Sequence, residues 1–202
     1  MEQLKNEKLT VEISSHGAEL QSIRNAEGRE YLWQGDEKYW PRRSPLLFPI
    51  VCGLWKDEYR VDGRTFNLPR HGFARDMDFE VVEKSDTSVT YTLESNAQTR
   101  EVYPYDFELD VTYILNDDNI NVIWSVKNTG KEEMHFQIGG HPAFNLPGVA
   151  EGDKMHGSIL FDNVEPLTRI IGNTGGCIKP ERYELKTDRQ IWKFDEESFA
   201  DD

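Results

Sequence analysis

The sequence predicts an all-β fold, an antiparallel sandwich or barrel, and three observations carry that prediction. Apolar and polar residues alternate over many short runs, tight turns of Gly, Asn and Asp separate the runs, and no stretch makes a convincing amphipathic helix. Leu9 to Ile13 alternates, Ser14-Ser15-His16-Gly17 breaks the run and Leu20 to Ile23 resumes it, which predicts strand, turn and strand. Asn25-Ala26-Glu27-Gly28 punctuates the chain before Tyr31-Leu32-Trp33, a further short strand of the same meander. Asp62-Gly63, flanked by Tyr59 to Val61 and Thr65 to Leu68, is a strong two-residue hairpin signal. Phe79 to Val82 and Val89 to Leu93 flank the polar turn Lys84 to Thr87 as another hairpin. The clearest pair is Phe107 to Leu115 with Ile120 to Val126, joined by Asn116-Asp117-Asp118-Asn119. Glu133 to Ile138 continues the meander with Met134, Phe136 and Ile138 on one face, until Gly139-Gly140 ends the regular strand. From Glu151 to Gly176 the pattern weakens into loop, and Phe194 to Asp202 holds at most a helical turn.

Composition narrows the function classes. The 202 residues are 37% hydrophobic and 11% aromatic, enough for a real core, so a single domain over residues 1–202 is expected. Apolar runs such as Pro45 to Leu54 are too short and too interrupted to cross a bilayer as a helix. The first eight residues lack the basic start and apolar stretch of a signal peptide, so a cytoplasmic location is expected, with Cys52 and Cys177 as reduced, buried, structural thiols. A net charge of −14, from 37 acidic and 23 basic side chains, repels phosphate backbones and anionic lipid alike, so neither nucleic acid nor membrane is an expected partner.

Three segments concentrate side chains capable of chemistry. Gly139-Gly140-His141-Pro142-Ala143-Phe144-Asn145-Leu146 runs a strand into two glycines, which allow close approach of a ligand, and then delivers an imidazole beside a rigid proline. Leu68-Pro69-Arg70-His71-Gly72-Phe73-Ala74-Arg75 again sets a histidine after a strand, with glycine, an aromatic ring and arginines beside it. Trp40-Pro41-Arg42-Arg43-Ser44-Pro45-Leu46-Leu47-Phe48-Pro49 sets paired arginines before an apolar run that reads as a buried, irregular strand.

Taken together, these segments resemble the aldose 1-epimerase family, also called galactose mutarotases, and within it the shorter bacterial proteins. Gly140-His141-Pro142-Ala143-Phe144-Asn145-Leu146 is the most specific match; His71-Gly72-Phe73-Ala74-Arg75 and Arg43-Ser44-Pro45-Leu46-Leu47-Phe48-Pro49 match in order and rough spacing. The resemblance implies a large antiparallel β-sandwich with a sugar cleft on one sheet face. It also implies an isomerase that interconverts the α and β anomers of a free hexose, with a small-molecule sugar as partner and neither metal nor organic cofactor. Opening a pyranose hemiacetal needs an acid at the ring oxygen and a base at the anomeric hydroxyl, and histidine suits the acid role. By similarity, His141 is that acid and His71 hydrogen-bonds the same region, while Arg43 donates to sugar hydroxyls. Arg75, Phe144 and Asn145 join the binding set, Phe144 offering an apolar platform together with Trp33 or Trp40. Asp202 ends a Phe-Ala-Asp-Asp run that is similar to the start of a family segment in which an aspartate touches the sugar.

The chain departs from the family's pattern at the base. Relatives carry it as a glutamate in a late strand, and no glutamate in residues 1–202 stands in a matching motif. C-terminal strands of the sandwich are therefore expected to be missing. Two alternatives stay open: a non-catalytic carbohydrate-binding or sugar-sensing sandwich, and a hexose-6-phosphate mutarotase whose phosphate meets Arg42, Arg43, Arg70 and Arg75. A metal site built from His71, His135 and His141 fits no compact ligand spacing.

Overall fold

Period-two alternation turns directly into burial in the first sheet. β1 (Glu2–Lys5), β2 (Leu9–Ile13) and β3 (Leu20–Asn25) pair antiparallel in that order, and Leu4, Val11 and Ile13 point inward with no exposure. In the computed structural model, residues 1–146, 148–149, 152–162, 166–172 and 177–199 are described; they fall into two units, Met1–Asn145 and Leu146–Asp202.

In the first unit, β4 (Leu46–Leu47) is short and buried, and β5 (Glu58–Val61) and β6 (Arg64–Asn67) form the hairpin expected at Asp62-Gly63, both of whose φ angles are positive. β7 (Glu80–Lys84), β8 (Ser88–Glu94), β9 (Phe107–Asn116) and β10 (Asn119–Asn128) make a four-stranded antiparallel sheet. Its register sets Val89, Tyr91 and Leu93 opposite Tyr113, Val111 and Leu109 on the core face. Thr90 meets Thr112 (3.0 Å) and Thr92 meets Asp110 (2.6 Å) on the other face. A one-residue slip would exchange these faces and drive hydroxyls and a carboxylate into the core, so the register is strongly specified. Tyr113 Oη donates to Ala18 O (2.7 Å) and Tyr91 Oη to Ile13 O (3.3 Å), so both inward tyrosines find acceptors by the first sheet. The core lies between the two sheets, and Phe48 joins it at zero exposure against Phe73, Tyr103, Phe107 and Phe136.

Four local readings are revised. Tyr31-Leu32-Trp33 is no regular strand: the Glu30 carboxylate accepts the Ile23 and Leu32 N–H groups, standing in for a ladder carbonyl. A short helix, α1 (Ala97–Val102), follows β8; its capping box closes between Asn96 and Thr99 (3.0 and 2.8 Å). Residues 133–138 form no strand, and the two glycines expected to end one form β11 (Gly139–Gly140), paired with β4. A Cβ at Gly140 would lie 3.1 Å from the Trp124 ring and one at Gly139 would lie 3.3 Å from Val51, so side chains crowd both glycines. The stretch expected as loop holds β12 (His156–Leu160) and β13 (Leu167–Gly172), which pair in the second unit with β15 (Ile191–Asp195) and β14 (Ile178–Leu185) respectively. Arg169 hides the alternation of β13: it shares the less exposed face with Leu167 and Ile171, its guanidinium donating to Ser198 O (3.1 Å). Residues Glu196–Phe199 form the single expected turn of helix.

The fold is thus nearly all β and antiparallel. No helix among the described residues is long and apolar enough to cross a membrane. Cys52 and Cys177, expected to be buried, are half-buried.

Candidate active site

Main-chain bonds bring the three sequence segments together. Pairing of β11 with β4 puts His141 beside Pro45, and the run continues with His141 N–H to Pro45 O (3.1 Å) and Ala143 N–H to Arg43 O (2.9 Å). The other edge of this run is tied by Trp33 N–H to Ala143 O (2.9 Å) and Asn145 N–H to Tyr31 O (2.8 Å). The third segment docks on Phe48, whose carbonyl accepts both Phe73 N–H (3.0 Å) and Ala74 N–H (3.1 Å). This docking requires glycine at position 72, where φ is +71 and a Cβ would stand 2.2 Å from Phe48 O. His71 itself sits at φ +70, in the left-handed region that side chains rarely adopt and that tends to mark sites where the surroundings hold a strained residue.

The outcome is a cleft of ≈ 240 Å³ lined by Trp40, Pro45, Leu47, Arg70, His71, Arg75 and His141. At ~30 Å³ of liquid volume per water, that is room for about eight waters, the scale of one small polar molecule. The two imidazole centroids are 6.1 Å apart at 70°, and the Trp40 ring stands 5.0 Å from that of His141. Trp33 supports this wall from behind, donating Nε1–H to Trp40 O (2.8 Å).

The two histidines differ in what holds them. Cys52 N–H donates to His71 Nδ1 (3.0 Å), and His71 N–H donates to Cys52 O (2.9 Å). An amide can only donate, so Nδ1 is the acceptor and the neutral ring carries its proton on Nε2. Desolvation, reinforced by Arg75, Arg70, His141 and Arg42, pushes the His71 pKa down to about 4, so the ring is neutral at physiological pH. His141 is exposed.

The cations beside them are held by backbone carbonyls and by the Asp76 carboxylate. Arg75 Nη2 donates to Arg70 O (2.7 Å), and Arg42 Nη2 donates to Asp76 Oδ1 (2.6 Å). Arg75 Nε stands 3.5 Å from Asp76 Oδ2 as an ion pair and is buried with no hydrogen-bond partner among the described residues. Burial, then Arg42, holds the Arg75 guanidinium below its usual value.

Of the expected site residues, His71, His141 and Arg75 share this cleft. Arg43 does not line it: its carbonyl accepts Ala143 N–H, its Nη1 donates to Gln21 Oε1 (2.8 Å), and its Nε is buried without a partner among the described residues. Phe144 lines a separate apolar groove of ≈ 410 Å³ with Leu20, Ile23, Tyr113 and Trp124. Asn145 spends its amide on the Leu32 and Glu30 carbonyls (3.0 and 3.3 Å), bracing the run that follows His141. Asp202 lies outside the described residues. His135 is elsewhere, accepting Tyr103 Oη–H on its carbonyl (2.9 Å), and no group of three or more His, Cys, Asp or Glu among the described residues is arranged to hold a metal. The Cys52 amide, which decides the His71 tautomer, carries no sequence signal, because a main-chain donor has no residue type.

A family model described as aldose 1-epimerase matches residues 2–160. Two LacX proteins of Lactococcus lactis subsp. lactis, one chromosomal and one from a plasmid, are 42% identical over 81% of this chain and 56% of their own length. The chain thus spans little more than half the length of these curated relatives. A galactose mutarotase related enzyme from Lactobacillus acidophilus superposes on all of this chain and 67% of its own at 37% identity, with a TM-score of 0.88. A galactose mutarotase-like protein from Lactobacillus casei ATCC 334 covers 96% of this chain and 67% of its own at 34% identity, with a TM-score of 0.90.

Proposed function

This chain belongs to the aldose 1-epimerase family, and from that premise we propose that the protein interconverts the α and β anomers of a free hexose, taken as a single sugar ring between His71 and His141. The observation that carries the reading is the unequal pair of imidazoles. His71 is neutral, with Nδ1 occupied by the Cys52 amide, so it presents Nε2–H as a hydrogen-bond donor. That leaves proton delivery to His141, which protonates the ring oxygen while the anomeric hydroxyl gives up its proton to a base and the C1–O5 bond opens. Rotation about C1–C2 and reclosure with the roles reversed yields the other anomer. Trp40 forms the apolar wall against which the ring rests, and Arg75 stands on the same cleft wall for sugar hydroxyls; Arg43, expected on the family's pattern to donate there too, would have to release Gln21 to do so. On the family's pattern the base is a glutamate from a late strand, and no glutamate in residues 1–202 stands in a matching motif.

The test is polarimetry of freshly dissolved α-galactose and α-glucose with and without the chain. The reading predicts a faster approach to anomeric equilibrium with protein. Equal rates, with sugar binding still seen by calorimetry, would favour a sandwich that only binds.

A second reading is favoured by Arg70 and Arg75, which stand on the cleft wall with the histidines, and by Arg42 close behind. Guanidinium groups match phosphate geometry, so the hexose would be a 6-phosphate. Competition separates the two: a phosphate-specific site ignores galactose and is blocked by glucose 6-phosphate.

A further inference from the structure

The turn at residues 49–52 is clamped from both flanks. On one, Gln137 donates its main-chain N–H to Pro49 O (2.9 Å) and accepts Val51 N–H on Oε1 (3.0 Å). On the other, His71 makes its reciprocal pair with Cys52. The turn needs such support. Cys52 sits at φ +65, a left-handed conformation that a residue bearing a Cβ keeps only where its surroundings hold it. Gln137 therefore acts as a one-residue strand partner, its backbone supplying the donor and its side chain the acceptor. Anchoring the Val51 N–H leaves only the φ and ψ of Val51 between that anchor and the peptide that carries the Cys52 N–H. The clamping segment continues through β11 into His141, so one stretch of chain sets the position of both histidines.

The geometry points to Gln137 as a positioning residue for His71: by holding the 49–52 turn it keeps the Cys52 amide on Nδ1, so that the neutral ring shows its Nε2–H to the cleft. Its value to catalysis rests on the mutarotase reading, but the tautomer itself can be read without any sugar. Gln137 is exposed, so replacing it opens no cavity and separates positioning from packing.

The experiment is ¹⁵N–¹H correlation of the histidine side chains in the chain, Gln137→Ala and Gln137→Glu, at a pH where His71 is neutral. Wild type is expected to show His71 as the Nε2–H tautomer. Gln137→Ala is expected to raise the share of the Nδ1–H form about fivefold, the effect of weakening one ordinary hydrogen bond. The His16 signal, remote from this turn on its Asp78 partner, should stay in place and report an intact fold. Gln137→Glu keeps an acceptor and should restore the wild-type tautomer. An unchanged His71 tautomer in Gln137→Ala would overturn the proposal, as would loss of the Nε2–H form in both variants alike. Neither result would touch the mutarotase reading, which stands or falls on anomer exchange.

Discussion

Substituting Gly72 by alanine puts a methyl group where the structure has a carbonyl. The added Cβ would meet Phe48 O at 2.2 Å, Phe48 C at 2.5 Å and Pro49 Cδ at 2.7 Å. Carbon contacts are optimal at about 3.5–4.0 Å, so the 71–74 segment has to retreat by more than an ångström from Phe48. Phe48 O holds both Phe73 N–H and Ala74 N–H, so the retreat weakens two main-chain bonds as well. Overpacking of this kind costs about 1–3 kcal/mol, a weakened hydrogen bond about 1 kcal/mol, and the left-handed backbone about 1–2 kcal/mol for a residue with a Cβ. Gly28→Ala is the control: φ is +83 and nothing lies within 4 Å of its added Cβ, so only the backbone cost applies. Urea unfolding at constant m is expected to place Gly72→Ala about 3–5 kcal/mol below Gly28→Ala, a factor of roughly 150–5,000 in the folding equilibrium. Equal midpoints for the two variants would refute the claim that close docking on Phe48 shapes the His71 loop.

Three further outcomes follow from the same geometry. His71 is expected to titrate near pH 4 when followed by ¹⁵N shifts; because its folded value is depressed, its contribution to stability is complete above pH ~6.5 and declines as pH falls from there toward 4, and a midpoint above 6 would contradict the desolvated, cation-flanked environment. Phe48→Ala, which removes a fully buried ring packed on four others, should cost about 3–5 kcal/mol by denaturant unfolding, and a cost under 1 kcal/mol would mean that this ring is not central to the core. Glu19 is buried, and one carboxylate oxygen accepts both Arg43 N–H (2.9 Å) and Ser44 N–H (2.8 Å), so Glu19→Ala strands two amides at about 1–3 kcal/mol each, whereas Glu19→Gln keeps an acceptor and should recover most of the loss.

Strand alternation was legible wherever one face meets the core, as in β2, β8 and β9, because a period of two is burial written along the chain. The three site segments were legible as motifs, and two of their side chains, His71 and His141, do meet. Residues after a turn were harder. The direction of Phe144, which leaves the cleft for an apolar groove, is set by bridging of its segment to Leu32, a contact across 112 positions that no local pattern encodes. The pairing of Gly139-Gly140 with β4 escaped for a related reason, since glycine permits close approach without announcing what approaches. In β13 a charged residue on the inward side broke the hydropathy pattern while leaving the backbone period intact.

On the proposed function His141 delivers the proton to a sugar held against His71, and anomer exchange by His141→Asn probes that step. An amide keeps hydrogen bonding but cannot donate a proton at neutral pH. General acid catalysis contributes about 10²–10⁴-fold, so calorimetry should still detect hexose binding while the protein-dependent rate of α-to-β conversion, followed by NMR of the anomeric protons, falls by at least about 10²-fold. A variant that equilibrates the anomers as fast as the unmodified chain would show that His141 is not the acid.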